Sequence, residues 1–151
     1  GARRRQLRPL LQLARRLDVG DLLHVRTAQD ATATSAWLVH ATASLAPLRD
    51  TPRNTVQGCC PLKVVESLAA GTPVIGSDLP VIREEVPDGV HGLLVRPDRP
   101  RDLARAIRVA LDAPDALERW GSAGRAHVAA HRTWAAAERA LLAVHLGLLG
   151  S

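Results

Sequence analysis

Gly58-Cys59-Cys60-Pro61-Leu62-Lys63-Val64-Val65-Glu66, continued by Ser67 to Gly71 and then Thr72-Pro73-Val74-Ile75-Gly76-Ser77-Asp78, reads as a loop that turns into a short helix, closes on glycine and feeds a buried strand. Pro61 suits the first helical position, where the missing N–H costs nothing and φ is already near the helical value. Gly71 suits the left-handed residue just past a helix end. A helix this short does not persist alone, so packing must hold it. Leu62, Val65 and Ala69 are expected on the packed face, with Glu66 pointing elsewhere. The unpaired amides around Cys59, Cys60 and Leu62 point out of the helix start and favour an anion. Lys63, the only lysine in the chain, lies in that first turn. A cation there opposes the helix dipole, so either an anionic ligand offsets it or it is a surface lysine that serves solubility. A helix start, a lysine and a carboxylate thus surround one crevice, the place where doubly wound α/β domains hold nucleotides.

Outward from this stretch the chain alternates. Residues 3–17 carry Leu7, Leu10, Leu11, Ala14 and Leu17 at helical spacing. A short strand is expected at 21–27, a helix at 32–41, and a strand at 43–48 running into a loop at 49–57. After the motif helix come a strand at 73–77, a short helix near 80–86 and a strand at 92–96. Helices follow at about 99–112, with Asp98 as cap, and then at 115–131 and 134–148. Strand–helix alternation predicts an α/β fold whose parallel sheet is covered on both faces. Internal repeats and low-complexity segments are absent.

With 151 residues the chain is one ordinary domain. Phe, Tyr and Met are absent and Trp supplies all the aromatics, so the core must be built from Leu, Val, Ala and Ile. The net charge of +5 raises the question of nucleic acid. The arginines, however, are spread through helices and mixed with acids, Arg3-Arg4-Arg5 being the one tight run. Stacking aromatics and a reading-helix motif are both missing. Nucleic acid is therefore not an expected partner; a solvated surface is, with peripheral affinity for an anionic membrane face as the alternative. Cys59 and Cys60 are adjacent and cannot staple distant segments, which fits a reducing compartment. A nucleophilic Cys60 needs a base that the sequence does not supply, and a phosphatase-like C-x5-R spacing fails at Glu66. Cys60 reads instead as a small helix-cap substitute. No signal peptide and no membrane-length apolar run is visible, so the cytoplasm, including the inner membrane face, is the expected location. The histidines lack metal spacing; His127 and His131 have no third ligand nearby in sequence.

The stretch C-P-L-K-V-V-E-S-L-A-A-G-T-P-V-I-G-S-D resembles the donor-binding motif of glycosyltransferase family 4, often S-P-L-K-x-x-E-Y-M-A-x-G-x-P-V-V. Downstream, R-E-E-V-P-D-G-V-H-G-L-L-V-R-P-D-R-P-R-D-L-A-R-A-I is similar to the family's next segment, E-x-V-x-D-G-x-x-G-x-L-V-x-P-x-D-x-x-x-L-A-x-A-I. The resemblance covers nearly the whole chain and is weakest over its first fifty residues. It implies a Rossmann-like, doubly wound parallel sheet, the C-terminal half of a two-domain GT-B enzyme with strand order 3-2-1-4-5-6. Gly1 matches the turn that follows the family's first βαβ unit, so residues 1–151 are expected to be an N-terminally truncated donor-binding domain. The acceptor-binding domain is then also outside the chain, and the region at 21–27 is separated from the other three strands, leaving apolar sheet edges bare.

The activity implied is metal-independent, retaining transfer of a hexosyl group from a nucleoside diphosphate sugar, the donor being substrate and no cofactor being needed. The acceptor is open: saccharide, lipid or small molecule. Glu66 matches the glutamate that accepts hydrogen bonds from ribose hydroxyls, the competing reading being a solvated helix glutamate. The backbone of Cys59, Cys60 and Leu62 would cradle the diphosphate, with Lys63 adding charge. Gly58 stands where the full E-x7-E pattern has its sugar-contacting glutamate, which puts hexose recognition in question. Arg49 and Arg53 either face the same crevice or belong to a solvated loop. Glu84 and Glu85 read as structural or surface positions. Paired carboxylates of the hydrolase kind are not evident, nor are the glycine-rich fingerprints of dehydrogenases or P-loop ATPases. The alternative function is a non-catalytic nucleotide-binding or interaction module.

Overall fold

The structure is a computed structural model that describes residues 2–26, 30–58 and 60–149, with backbone alone at 2–6 and 149. Two compact units are present, Gly1–Ala31 and Thr32–Ser151.

In the first unit, helix α1 (Ala2–Arg16) matches the leucine spacing of the sequence. It ends in a Schellman motif built on Asp18, whose φ of 54° is left-handed. Val19 N–H donates to Ala14 C=O at 3.0 Å and Asp18 N–H to Arg15 C=O at 3.2 Å, which satisfies carbonyls the helix end would leave open. The strand expected at 21–27 is not formed. Gly20–Leu22 is a single 3-10 turn, and 23–26 join no sheet, while Thr27 lies outside the described residues. The apolar residues of D-L-L-H-V-R-T suit a strand, but a strand exists only by exchanging hydrogen bonds with a neighbour. Among the described residues no such neighbour pairs with this segment.

The second unit holds α2 (Ala31–Val39) from Thr32 on, β1 (Ser44–Ala46), a one-turn helix α3 (Pro52–Thr55) and α4 (Leu62–Ala69). It continues with β2 (Val74–Ser77), α5 (Pro80–Arg83) and β3 (Gly92–Val95). The last three elements are α6 (Pro100–Leu111), α7 (Pro114–His131) and α8 (Trp134–Leu149). The three strands form one parallel sheet in the order β1-β2-β3, with Ala46 opposite Gly76 and Ser77 opposite Val95. β2 is buried at every position, as expected of a parallel strand covered on both faces. Val74 joins a core of Ala46, Val64, Leu68, Ile82 and Val86, while Ile75 joins Ala106, Ala110 and Leu117 on the other face. This is the alternation of a pleated strand.

Helix α4 differs from expectation in its start and in its buried face. Pro61 is the cap residue, with φ −80° and ψ 74°, and Leu62 is the first helical residue. The face packed on the sheet is Val64, Ser67 and Leu68, whereas Leu62 is 64 % exposed and Ala69 is exposed. The Ser67 hydroxyl decides the rotation. It donates to Lys63 C=O at 2.6 Å and meets Ser44 Oγ of β1 at 2.9 Å, a polar tie that only one helix orientation allows. Gly71 takes the left-handed conformation expected, φ 81°, and closes α4 through Thr72 N–H to Ser67 C=O at 2.9 Å. Helix α7 crosses α4 at close range: a Cβ on Gly121 would stand 2.1 Å from Gly71 O, and one on Gly124 would stand 2.6 Å from Leu68 Cδ2. Two small residues therefore set how near these helices approach.

Two local expectations change. The loop at 49–57 contains α3, because Thr51 and Pro52 start a helical turn that Thr55 Oγ1 closes onto Thr51 C=O at 2.9 Å. Asp98 does not cap α6; the cap position is Arg99, without a side-chain cap bond, and the Asp98 carboxylate is engaged elsewhere.

Candidate functional site

Because α4 buries Val64, Ser67 and Leu68, its opposite face presents Leu62, Lys63 and Glu66 outward, all three exposed. The start of α4 and the chain leaving β1 then bound a cleft of about 630 Å³ beyond the C-terminal end of β1. Its walls include Leu48, Arg49, Arg53, Cys60, Leu62 and Lys63. Crevices outside strand C-termini are where open α/β sheets bind ligands.

Three cations thus meet around one helix start. Lys63 and Arg53 make no ion pair among the described residues, so their charge is available to an anion. Arg53 is placed there by α3. Arg49 has a partner: its Nε–H donates to Asp98 Oδ1 at 3.2 Å. Asn54 Nδ2 donates to Arg49 C=O at 2.8 Å and holds the loop from within.

The structure brings Arg49, Arg53, Cys60, Leu62 and Lys63 together. Gly58 and Glu66 do not line the cleft. Gly58 has a φ of 76°, a glycine-favouring conformation. Glu66 stands one turn along α4 from Leu62 and Lys63, on the same face. Cys59 lies outside the described residues. The Leu62 amide, expected to face an anion, donates instead to Cys60 C=O at 2.9 Å. That amide is therefore not free to meet an anion in the cleft. Cys60 is an exposed free thiol one residue before the cap position, so it is not the cap substitute expected.

Sequence reasoning missed two features. Asp98 reaches Arg49 from the β3–α6 connection, and nothing in its local sequence signals a partner 49 residues earlier. The second feature is a cluster around Glu85. This carboxylate is 4 % exposed and is gripped by Arg132, with Nε to Oε2 at 3.0 Å and Nη2 to Oε1 at 2.7 Å. Glu85 C=O meets His91 Nδ1 at 2.7 Å, and His127 Nε2 stands 3.6 Å from Glu85 Oε2. His127 Nε2 is buried without a hydrogen-bond partner among the described residues. Burial first, and then the neighbouring His91, push the His127 pKa down, with Glu85 opposing. Arg132 is held above its usual range by its bond to Glu85. Glu85 is thus structural, one of the two readings the sequence left open, and Glu84 is exposed. Among the described residues no group of three or more His, Cys, Asp or Glu is arranged for a metal ion, and no helix is long and apolar enough to cross a membrane.

A family model described as "Glycosyl transferases group 1" matches residues 1–113. A D-inositol 3-phosphate glycosyltransferase of Streptomyces griseus is 30 % identical over 78 % of this chain, which covers 24 % of that protein. D-inositol 3-phosphate glycosyltransferase 2 of Catenulispora acidiphila is 31 % identical over 90 % of the chain and 30 % of its own length. Among solved structures, the sucrose-phosphate synthase of Thermosynechococcus elongatus superposes with a TM-score of 0.81 at 28 % identity, over 99 % of this chain and 35 % of that one. The chain therefore spans about a quarter to a third of the length of these relatives.

Proposed function

Since the chain belongs to the group 1 glycosyl transferases, we propose that it is the part of such an enzyme that holds a nucleoside diphosphate sugar for retaining hexosyl transfer. The observation that carries this reading is the cleft beyond β1, where Arg49, Arg53 and Lys63 converge on the start of α4. Cations and a helix N-terminus together favour a diphosphate, and they favour it more as charge builds up on the departing diphosphate. Glu66, a turn along the same face, accepts from the ribose hydroxyls. In the reaction the bond between the anomeric carbon and the diphosphate oxygen breaks, the anomeric carbon bonds to an acceptor hydroxyl oxygen with retention, and the hydroxyl proton passes to the released diphosphate. The acceptor is a saccharide, a lipid or a small molecule; the named relatives act on a phosphorylated inositol. The acceptor-binding half is assigned to a domain beyond this chain, in keeping with the share of the relatives that it spans.

A thermal melt of the chain against UDP, GDP, ADP and dTDP tests the donor site. A ligand at about a hundred times its Kd adds roughly 2.7 kcal/mol, which shifts the midpoint clearly. One nucleotide raising the midpoint supports the reading and names the base. A cooperative melt that none of them moves overturns it.

The second reading, a nucleotide-binding module without catalysis, draws on Gly58, which offers no carboxylate to a sugar. Equal stabilisation by a nucleoside diphosphate and by its sugar conjugate favours that alternative.

A further inference from the structure

Asp98 has a φ of 56°, the left-handed region that side chains other than glycine seldom occupy and where Asp is among the enriched exceptions. Such a conformation costs about 1 kcal/mol or more and persists where its surroundings hold it. What it achieves here is placement of both carboxylate oxygens against one loop. Oδ1 accepts from Arg49 Nε–H at 3.2 Å, and Oδ2 accepts from the Asp50 backbone N–H at 3.1 Å. With Asn54 Nδ2 on Arg49 C=O at 2.8 Å, the Arg49 backbone is restrained on both sides.

The pair is exposed, 81 % for the Arg49 side chain and 47 % for that of Asp98, so it contributes little to stability by itself. Its consequence is conformational. A guanidinium has five N–H donors; engaging Nε–H leaves those on the two Nη atoms for a ligand and fixes the plane in which they lie. We propose that Asp98 is a positioning residue, holding Arg49 by its Nε–H so that the remaining donors meet the diphosphate in the cleft. This rests on reading the cleft as a diphosphate site. Asp98 also borders a neighbouring recess of about 250 Å³ beside Pro47, Ser77 and Val95, at the ends of all three strands. It therefore links that recess to Arg49 in the cleft at β1.

The test is calorimetric titration of the full chain with inorganic pyrophosphate, for the wild type, Arg49→Ala, Asp98→Ala, Asp98→Asn and the Arg49→Ala/Asp98→Ala double variant. Asp98→Ala is expected to weaken binding about three- to tenfold, the scale of ordering one long side chain at an interface. Asp98→Asn keeps an acceptor oxygen and recovers part of the loss. The double variant binds no more weakly than Arg49→Ala alone, because the effect of Asp98 runs through Arg49. Tighter binding by Asp98→Ala would mean that the carboxylate competes with the ligand, and overturns the proposal. Weaker binding by Arg49→Ala with Asp98→Ala unchanged overturns the positioning role and leaves the cleft reading intact. No effect of Arg49→Ala, or no binding by the wild type, overturns both.

Discussion

Replacing Arg132 with methionine should destabilise the chain by about 2 kcal/mol near pH 8, in the range for hydrogen bonds to charged groups. The magnitude follows from the exposure of the two partners. Glu85 is nearly enclosed at 5 % side-chain exposure, but Arg132 is 41 % exposed, so solvent screens part of the attraction. Breaking a fully buried pair costs roughly 3–5 kcal/mol, and this half-open one belongs below that range. Methionine keeps an apolar stem over the cluster, which isolates the charge from the packing. Once Arg132 is gone, the Glu85 carboxylate is left with His127 Nε2, 3.6 Å away, as its nearest cationic candidate. Urea unfolding of wild type and variant at pH 8 reads the loss directly. Removing the charge as well, in Glu85→Gln/Arg132→Met, should cost less than the sum of the single changes. A loss under about 0.5 kcal/mol at pH 8, the scale of ordinary surface substitutions, would refute the reasoning. So would additive behaviour of the pair.

Other perturbations test separate parts of the structure. His127 has a folded pKa below its ordinary 6.5, so the neutral form is favoured on folding; its contribution is present above that value and lost as pH falls through the lowered pKa. Wild-type stability should therefore decline in the acid range, and His127→Gln should flatten that decline; an unchanged pH profile counts against it. Gly121→Ala should destabilise by about 1–3 kcal/mol or prevent folding, because its Cβ would stand 2.1 Å from Gly71 O; Gly147→Ala, with open space around its Cβ, is the control in the same urea series. Lys63→Ala should weaken nucleoside diphosphates more than nucleosides in calorimetry, and equal losses argue against contact with phosphate. In the intact enzyme Glu66→Ala should lose about 1–3 kcal/mol of donor affinity, the scale for a charged hydrogen-bond partner; unchanged affinity removes the ribose assignment.

Much of the α/β frame was legible because it is local. Gly71 closes α4 by being able to hold a φ of 81°, and Val74 and Ile75 point to opposite cores because a strand alternates by construction. Pro80, Pro100 and Pro114 each mark a first helical turn, a preference that comes from the ring itself. The cations of the cleft were also nameable in advance, since Lys63, Arg49 and Arg53 flank the helix start in the chain. What the sequence alone left undecided depends on partners far away along the chain. Residues 21–27 have strand-like composition, yet the described residues 21–26 form no strand, because a ladder needs a neighbour that local preference cannot supply. The rotation of α4 turned on Ser67 meeting Ser44, which put Val64 and Leu68 inward instead of Leu62 and Ala69. Asp98 reads as a helix cap until the fold brings Arg49 and Asp50 to it, and Glu85 as an ordinary glutamate until α7 delivers His127 and Arg132. Periodicity and turn chemistry act over a few residues, so the sequence determined the order of elements and the site's charges; which side chains meet across the sheet was decided by packing, which acts between residues that have no chain relation to one another.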